Sequence, residues 1–303
     1  MARAPRSLAG RVVAVTGGGR GIGRATAAAL IARGARVAIG DLDAPLAERT
    51  AAELGAWTVG LPLDVTDRTN FAAFLDQAEH RLGPLDVLIN NAGIMPIGPF
   101  LEETDACARR IIGINVHGVL FGSKLALERF VPRRRGHLVN MASIAGKAGA
   151  AGGVTYCASK YAVVGLSEAL RQELHGTGVE ISVVMPIGVN TELYSGLPQI
   201  RGFKLSEPEG VARAIVGVLQ RPRFEVYVPR SMAAVMRAGI LTPRRTWEGL
   251  GRLLKNDQTL TRPDHDARAA YEARMLQTID GRSTLPARAA PPPAPAERQP
   301  EAV

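Results

Sequence analysis

The sequence predicts an α/β fold, in which a single domain builds a doubly wound parallel sheet and a C-terminal helical extension follows it. Short apolar runs rich in β-branched residues alternate with helical patterns along the first 230 residues, and the sequence contains no internal repeat. A chain of 303 residues is long enough to bury one large α/β core. We therefore assign residues 1–230 to one domain.

The first strand is expected at residues 12–15, directly before a glycine-rich turn that reads TGGGRGIG over residues 16–23. A helical pattern follows over residues 24–33. A helix that begins at such a turn presents unpaired N–H groups and the positive end of its dipole, which suit a pyrophosphate. The pattern favours a Rossmann-type dinucleotide site. Because the spacing differs from the general G-x-G-x-x-G, a purely structural turn is the alternative.

The second strand, residues 35–40, leads into Asp41, which stands 18 residues after Gly23. A carboxylate near this distance bonds the ribose hydroxyls of the adenosine, and it repels a 2′-phosphate. Asp41 therefore favours NAD over NADP. Arg20 and Arg24 are the counter-evidence, because a guanidinium near the turn pairs well with a phosphate. An ordinary turn residue is the alternative interpretation of Asp41.

A possible proton-transfer group lies further along the chain. The fifth strand, residues 138–143, ends at Ser143, at the edge where open parallel sheets bind ligands. A helix over residues 155–174 carries Tyr156 and Lys160, which are four residues apart and share one face. A free tyrosine has a pKa near ~10, and an ammonium in a sheltered cleft is expected to lower it. Tyr156 then serves as a general acid or base.

These motifs occur in one order over residues 8–230, together with N-N-A-G at residues 90–93 and P-I-G-V-N-T at residues 186–191. The chain thereby resembles the classical short-chain dehydrogenases/reductases, which implies a nicotinamide-dependent oxidoreductase with a Rossmann-type NAD(P)-binding domain. It departs from the family at Ile187, where glycine is usual. We expect this apolar side chain near the nicotinamide and the substrate.

The resemblance also implies roles for individual residues. The catalytic set is Asn115, Ser143, Tyr156 and Lys160, in which Asn115 helps to hold a water of a proton relay. The residues expected at the cofactor, with Asp64 near the adenine ring, are Gly17, Gly19, Arg20, Gly21, Ile22, Gly23, Asp41, Asp64, Val65, Asn91, Ala92, Gly93, Tyr156, Lys160, Pro186, Gly188, Val189 and Thr191. The residues expected at the substrate are Ile94, Met95, Ser143, Ile187 and Leu193.

Composition limits other classes of function. The net charge of +9 and the sequence pI of 10.1 invite a nucleic-acid partner, but aromatic residues are only 5% and the basic residues are scattered. Cys107 and Cys157 form no C-x-x-C pattern, so we expect neither a metal site nor a disulfide framework. The sequence shows no apolar run of signal-peptide or membrane-spanning length, which predicts a cytoplasmic protein.

The C-terminal extension, residues 231–281, mixes apolar and basic residues in an amphipathic pattern. It either packs on its own core, contacts a partner subunit or lies on an anionic membrane surface. We expect residues 231–262 to fold against the substrate side of the core and to narrow the entrance of the cleft. Residues 282–303 are rich in Ala, Pro and Arg, which predicts a disordered tail.

Three hypotheses about function result. The first is an NAD(H)-dependent oxidoreductase that interconverts a secondary alcohol and a ketone, or a primary alcohol and an aldehyde, on a hydrophobic substrate. The second is a peripheral membrane enzyme for lipid, sterol or retinoid-like substrates, with NADP(H) as an alternative cofactor. The third is a non-catalytic nucleotide-sensing protein, which the four catalytic residues disfavour. We also expect a homodimer or a homotetramer.

Overall fold

The computed structural model describes residues 4–198, 204–253, 260–261 and 263–279. Within these ranges the strands are β1 (Val12–Thr16), β2 (Arg36–Asp41), β3 (Thr58–Pro62), β4 (Val87–Asn90), β5 (Gly136–Met141), β6 (Val179–Pro186) and β7 (Glu225–Val228). They form one parallel sheet in the order β3-β2-β1-β4-β5-β6-β7. The order reverses between β1 and β4, which is the doubly wound topology that the sequence predicts.

Helices cover both faces of this sheet. Their bounds are α1 (Gly21–Ile31), α2 (Ala44–Leu54), α3 (Arg68–Leu82), α4 (Asp105–Ile112), α5 (Gly118–Phe130), α6 (Val154–Glu173), α7 (Pro208–Gln220), α8 (Met232–Leu241), α9 (Arg244–Leu253) and α10 (His265–Ile279). The first helix therefore begins three residues earlier than the sequence pattern predicts, directly inside the glycine turn.

The sheet is buried on both faces, which explains the nearly continuous apolar runs of its strands. In β1, Val13 and Val15 pack with the apolar faces of α1, α2 and α7. Val12 and Ala14 point to the opposite face and pack with those of α3 and α5. Alternate residues of one strand thus anchor two helical layers, and the sheet between them holds the ends of its strands in fixed positions.

A π-helical turn, Gly113–His117, separates α4 from α5. The sequence pattern predicts ordinary helix at residues 111–116, so the turn is a local correction of that prediction. Residues 105–130 are also long and apolar enough to span a bilayer by length and composition. Half of their most apolar window is buried inside the fold, as in the core helix of a globular domain.

The C-terminal extension forms α8, α9 and α10. Helix α8 packs beside β7 through Met232, which is buried. The predicted cover over the substrate side, residues 231–262, stays a prediction, because residues 254–259 and 262 lie outside the described residues. Leu260 of this range is buried beside Gly152 and Gly153, shortly before Tyr156. The described contacts with residues 94–95 and 192–196 are made by residues 264–274. The predicted disordered tail, residues 282–303, lies outside the described residues.

Candidate active site

The predicted site residues meet at the carboxyl ends of β1, β4, β5 and β6, on both sides of the point where the strand order reverses. Thr16 ends β1, and its hydroxyl accepts hydrogen bonds from the backbone N–H groups of Asn91 and Ala92, both at 2.9 Å. The Asn91 side chain donates in return to the carbonyl oxygens of Thr16 and Gly17 at 2.9 and 3.0 Å. The N-N-A-G segment is therefore tied directly to the glycine turn.

The glycine turn has the shape of a cradle that side chains would fill. Gly17 adopts φ +61°, and a Cβ atom there would lie 2.9 Å from the Ala92 Cα. A Cβ atom on Gly23 would lie 2.2 Å from the Gly17 carbonyl oxygen. Ile22 is half-buried beside the core. The backbone of this turn, at the start of α1, fits a pyrophosphate group.

Asp41 closes one side of the turn. Its carboxylate accepts hydrogen bonds from the backbone N–H groups of Gly19 at 3.0 Å and of Asp43 at 3.2 Å. Burial raises the pKa of Asp41, while these two bonds and the nearby Arg20 oppose the rise. The structure thus places this carboxylate next to the glycine turn, as the sequence predicts.

Arg20 and Arg24, the two possible ligands of an NADP 2′-phosphate, already have carboxylate partners. Arg20 pairs with Asp43 and with Glu192, each at 3.2 Å. Arg24 pairs with Glu53 at 3.0 Å. Each guanidinium therefore has to leave a carboxylate, at least in part, before it can bind a 2′-phosphate.

Asp64 and Val65 follow β3 on the far side of the turn. The Asp64 carboxylate accepts hydrogen bonds from the Thr66 backbone N–H at 2.8 Å and from the Thr66 hydroxyl at 2.6 Å. Val65 is buried against Gly118, where a Cβ atom would lie 2.9 Å from the Val65 Cγ2. These contacts hold the segment after β3 close to the start of α5.

Ser143, Tyr156 and Lys160 converge as predicted, with Ser143 two residues beyond the end of β5. The Ser143 hydroxyl lies close enough to the Tyr156 hydroxyl to favour a lower pKa of that phenol. The Lys160 ammonium lies 5.7 Å from the centre of the Tyr156 ring and donates to the Met141 carbonyl at 3.0 Å. The Ser143 hydroxyl also lies 3.4 Å from the Pro186 carbonyl oxygen, to which it donates.

The electrostatics of this group differ from the sequence-based expectation. Burial raises the pKa of Tyr156, and the nearby Ser143 hydroxyl offsets only part of the rise. Burial also lowers the pKa of Lys160 to about 8. The expected depression of the Tyr156 pKa is therefore absent in the protein chain by itself, because desolvation of the phenolate outweighs the other contributions.

Asn115 lies in the π-helical turn and is fully buried. Its side chain accepts from the Ile94 N–H at 2.9 Å and donates to the Ile94 carbonyl at 2.9 Å and to the Ser159 hydroxyl at 3.1 Å. A Cβ atom on Gly93 would lie 3.2 Å from the Asn115 Oδ1 and 3.6 Å from the Lys160 Nζ. The Asn115 amide thus anchors the segment after β4, and its role in a water relay stays a prediction.

The segment after β6 faces the glycine turn. A Cβ atom on Gly21 would lie 3.3 Å from the Thr191 Cγ2, so these two residues stand opposite each other. Gly188 adopts φ +30°, while Val189 is buried in the core. Ile187, the departure from the family pattern, is buried, and its backbone N–H donates to the Val228 carbonyl of β7 at 3.0 Å.

Known proteins resemble this chain over most of its length. A family model described as short chain dehydrogenase matches residues 11–200. The chain belongs to the short-chain dehydrogenase/reductase family. It is 36% identical to 2-(S)-hydroxypropyl-CoM dehydrogenase 3 of Xanthobacter autotrophicus over 70% of this chain and 90% of the relative. It is 37% identical to meso-2,3-butanediol dehydrogenase of Serratia marcescens, over 67% of this chain and 81% of the relative.

A solved structure agrees with this membership. A short-chain dehydrogenase/reductase from Burkholderia phymatum, determined in complex with NAD, superposes with a TM-score of 0.71 at 27% identity. The match covers 77% of this chain and 93% of that structure. As a short-chain dehydrogenase/reductase, the present protein is an oxidoreductase that uses a nicotinamide cofactor on a CH–OH or carbonyl group.

Sequence reasoning missed two residues of this dehydrogenase that contact the predicted substrate segments. Arg268 and Tyr271 lie on α10 and bond the backbone at Met95, while Arg268 also bonds that of Leu193. No motif marks them, and their partners stand more than 70 residues away in sequence. In the part of the chain that the structure describes, no group of three or more His, Cys, Asp or Glu is placed to hold a metal ion.

Proposed function

We propose that this protein is an NAD(H)-dependent dehydrogenase/reductase that interconverts a secondary alcohol and a ketone on a hydrophobic substrate, with Tyr156 as general acid and base. The proposal also extends to primary alcohols and aldehydes. The observation that carries it is the convergence of Ser143, Tyr156 and Lys160 beside the glycine turn. A proton carrier, a hydroxyl that orients an oxygen and a buried ammonium together match oxidoreduction at a CH–OH group.

Tyr156, Ser143 and Lys160 have different roles in proton transfer. The nicotinamide supplies the hydride acceptor or donor when the cofactor is bound. During oxidation the phenolate form of Tyr156 accepts the proton of the substrate hydroxyl, and during reduction the phenol form of Tyr156 gives its proton to the substrate oxygen. Ser143 orients that oxygen through its hydroxyl. With a pKa of about 8, Lys160 is mostly an ammonium at pH 7. We assign to this charge, 5.7 Å from the Tyr156 ring, the support of the phenolate form during turnover.

The preference for NAD rests on the charges around the turn. Asp41 supplies a carboxylate for the ribose hydroxyls, and this carboxylate repels a 2′-phosphate. Arg20 and Arg24 are paired with carboxylates, which makes them poor phosphate ligands. Together these contacts support NAD, with NADP as the alternative. Thr191, opposite Gly21, is the residue that we assign to the carboxamide of the nicotinamide.

The preference for an apolar substrate rests on the apolar residues in the segments after β4 and β6. Ile94 and Leu193 are half-buried, and Met95 is buried. The names of the two relatives, a hydroxypropyl-CoM dehydrogenase and a 2,3-butanediol dehydrogenase, describe enzymes for hydroxyl groups on secondary carbons. This chemistry supports a secondary alcohol as the substrate class.

A panel of secondary alcohols with NAD tests the proposal, with formation of reduced nicotinamide as the signal. Tyr156→Phe should lower kcat by about 10²-fold or more, because it removes only the hydroxyl that carries the proton. Tyr227→Phe on β7, whose hydroxyl contacts Glu225, is the matched control and should turn over normally. The thermal melt and the NAD affinity should stay unchanged in both variants.

Two results contradict the proposal. Normal turnover by Tyr156→Phe excludes Tyr156 as the acid and base. Failure of the unmodified protein to oxidise any alcohol or reduce any ketone, despite binding NAD, favours the non-catalytic nucleotide-sensing protein instead.

A peripheral membrane enzyme is the second candidate, and one observation favours it. Leu241 at the end of α8 is 86% exposed, and the exposed Arg245 of α9 follows it, while Arg244 is paired with Glu248 at 2.8 Å. Such an arrangement suits an anionic lipid surface. Sedimentation with phosphatidylserine-containing vesicles should then carry the protein down, and Leu241→Ser should reduce the bound fraction. Equal recovery with neutral and anionic vesicles argues against it.

Self-association completes the proposal. The exposed face of α6 carries Val154 and Tyr161, at 47% and 46% exposure, among small residues that allow close helix packing. This face supports the predicted homodimer or homotetramer. Light scattering coupled to size exclusion measures the mass, and a monomer at micromolar concentration contradicts the prediction.

A further inference from the structure

The helix α10 lies across both walls of the candidate substrate site. One wall is the segment after β4, residues 94–96, and the other is the segment after β6, residues 192–196. The two walls are separated by about a hundred residues in sequence. The end of the second wall is bonded to the residue before α10, since the Asp264 N–H donates to the Gly196 carbonyl at 2.8 Å.

Arg268 is the residue that joins the walls. Its Nη2 donates to the Met95 carbonyl at 2.7 Å, while its Nη1 donates to the carbonyls of Leu193 at 3.1 Å and Ser195 at 2.9 Å. Its Nε lies 3.4 Å from the Glu272 carboxylate. The side chain is completely buried. The planar fork of a guanidinium can reach three carbonyl groups at once, which the single nitrogen of a lysine cannot reproduce.

Tyr271 adds a second bond to the first wall. Its hydroxyl oxygen accepts from the Met95 N–H at 2.8 Å, so α10 pairs both backbone polar groups of Met95. The Arg268 guanidinium lies 4.8 Å from the centre of the Tyr271 ring. Burial raises the pKa of Tyr271 to about 12, so its phenol stays neutral and keeps this bond at physiological pH.

A third contact joins α10 to the cofactor side of the site. The Glu192 carboxylate accepts from Arg274 of α10 at 2.5 Å and from Arg20 of the glycine turn at 3.2 Å. The Ser195 hydroxyl donates to the Ala267 carbonyl at 2.6 Å. Residues 192–196 are thus bonded both to the glycine turn and to α10.

We propose that Arg268 and Tyr271 are positioning residues that hold Met95 and Leu193 at a fixed separation and so set the size of substrate that the enzyme accepts. The inference rests on the proposed function, because it assigns Met95 and Leu193 to the substrate. The Arg268 guanidinium is directed at backbone carbonyls and Glu272, so it acts through the walls rather than on the substrate. If the bonds between α10 and the walls are lost, the KM for bulky alcohols should therefore rise more than the KM for small ones.

Two substitutions each remove hydrogen bonds of α10 to the walls while they keep the size or the charge of the side chain. Tyr271→Phe removes the acceptor of Met95 and keeps the ring, with Tyr227→Phe on β7, whose hydroxyl contacts Glu225, as the control. Arg268→Lys keeps the charge and removes the fork, with Arg109→Lys on the exposed side of α4 as the control. We expect KM for a bulky secondary alcohol to rise about 3- to 10-fold in Tyr271→Phe, as for the loss of one hydrogen bond, and further in Arg268→Lys. KM for 2-propanol, kcat and the NAD dissociation constant should stay within about twofold.

Hydrogen exchange supplies a readout that does not depend on turnover. The Met95 amide should exchange at least about 10-fold faster in Tyr271→Phe than in the unmodified protein, since its acceptor is gone. Equal KM changes for bulky and small alcohols, or a Met95 amide that exchanges at the unmodified rate, overturn the proposal. If no alcohol is oxidised by any variant, the proposed function fails, while the exchange of Met95 still decides whether α10 holds the wall.

Discussion

Single residues around the glycine turn decide which nicotinamide cofactor fits. Asp41 faces the turn and bonds the Gly19 N–H at 3.0 Å, so its carboxylate is held near the predicted ribose position. Arg20, which the sequence leaves as a possible phosphate ligand, is shared between Asp43 and Glu192. The balance of charge at this edge therefore depends on pairings between residues that are distant in sequence.

The charge of Asp41 can be tested directly. Asp41→Ala should weaken NAD binding by about 10-fold or more, because a hydrogen bond to a charged group is lost. Its affinity for NADP should rise relative to that for NAD. Asp41→Asn keeps a polar side chain without the charge, so it should admit NADP while retaining part of the NAD affinity. Fluorescence titration with both cofactors measures these changes, and an unmodified enzyme that prefers NADP contradicts the electrostatic argument.

Among the elements, the π-helical turn between α4 and α5 has a specific task. It brings the Asn115 amide to both backbone polar groups of Ile94, immediately after the N-N-A-G segment. A π-helical turn within a helix is uncommon and is often found at functional sites. Here it couples the helical layer to the strand end that carries the candidate cofactor and substrate residues.

Asn115→Ala tests this coupling. The substitution leaves the Ile94 N–H and carbonyl without their partner, which should lower the free energy of unfolding by about 2–4 kcal/mol. Turnover should fall as well, since Ile94 borders the substrate site. Urea denaturation measures the change, and Gln77→Ala on the exposed side of α3 serves as the control. Stability equal to that of the control would show that Asn115 does not anchor Ile94.

For the molecule as a whole, a buried histidine in the centre of the sheet links stability to pH. His137 of β5 lies 2.8 Å through its Nε2 from the Ser182 hydroxyl of β6, which donates to the Arg223 carbonyl at 2.6 Å. Burial lowers the pKa of His137 from 6.5 to about 3, with the charge of Arg6 as a smaller cause. The folded protein therefore keeps this ring neutral at pH values where the unfolded chain binds a proton.

The sign of the pH effect follows from that difference. As pH falls from 6.5 towards 3, the unfolded state gains a proton at His137 that the folded state does not, so the free energy of unfolding decreases. The contribution is at most about 1.4 kcal/mol per pH unit. His137→Gln should flatten the dependence between pH 6 and 4, measured by denaturation at several pH values. His80→Gln on the surface of α3 is the control, and parallel curves for both variants contradict the prediction.

Much of this fold was predictable because its signals are local. The apolar runs of the strands, the glycine turn and the four-residue spacing of Tyr156 and Lys160 are all read within short windows of sequence. Such windows suffice for parallel strands that are buried on both faces, since burial demands continuous apolar residues. The family motifs then place Ser143 beside Tyr156, and in the structure the Ser143 hydroxyl is near enough to act on the pKa of Tyr156.

The tertiary structure alone decided how distant residues pair. Arg268 meets Met95 across 173 positions of sequence, and Glu192 meets Arg20 across 172. No local pattern distinguishes a buried arginine on α10 from a solvated one, because the carbonyl groups that stabilise its charge belong to other segments. For the same reason the sequence predicted a cover in residues 231–262 but not the bonds that α10 and the residue before it make to the segments after β4 and β6. Which remote groups pair depends on the path of the folded chain, and residue spacing and composition do not determine that path.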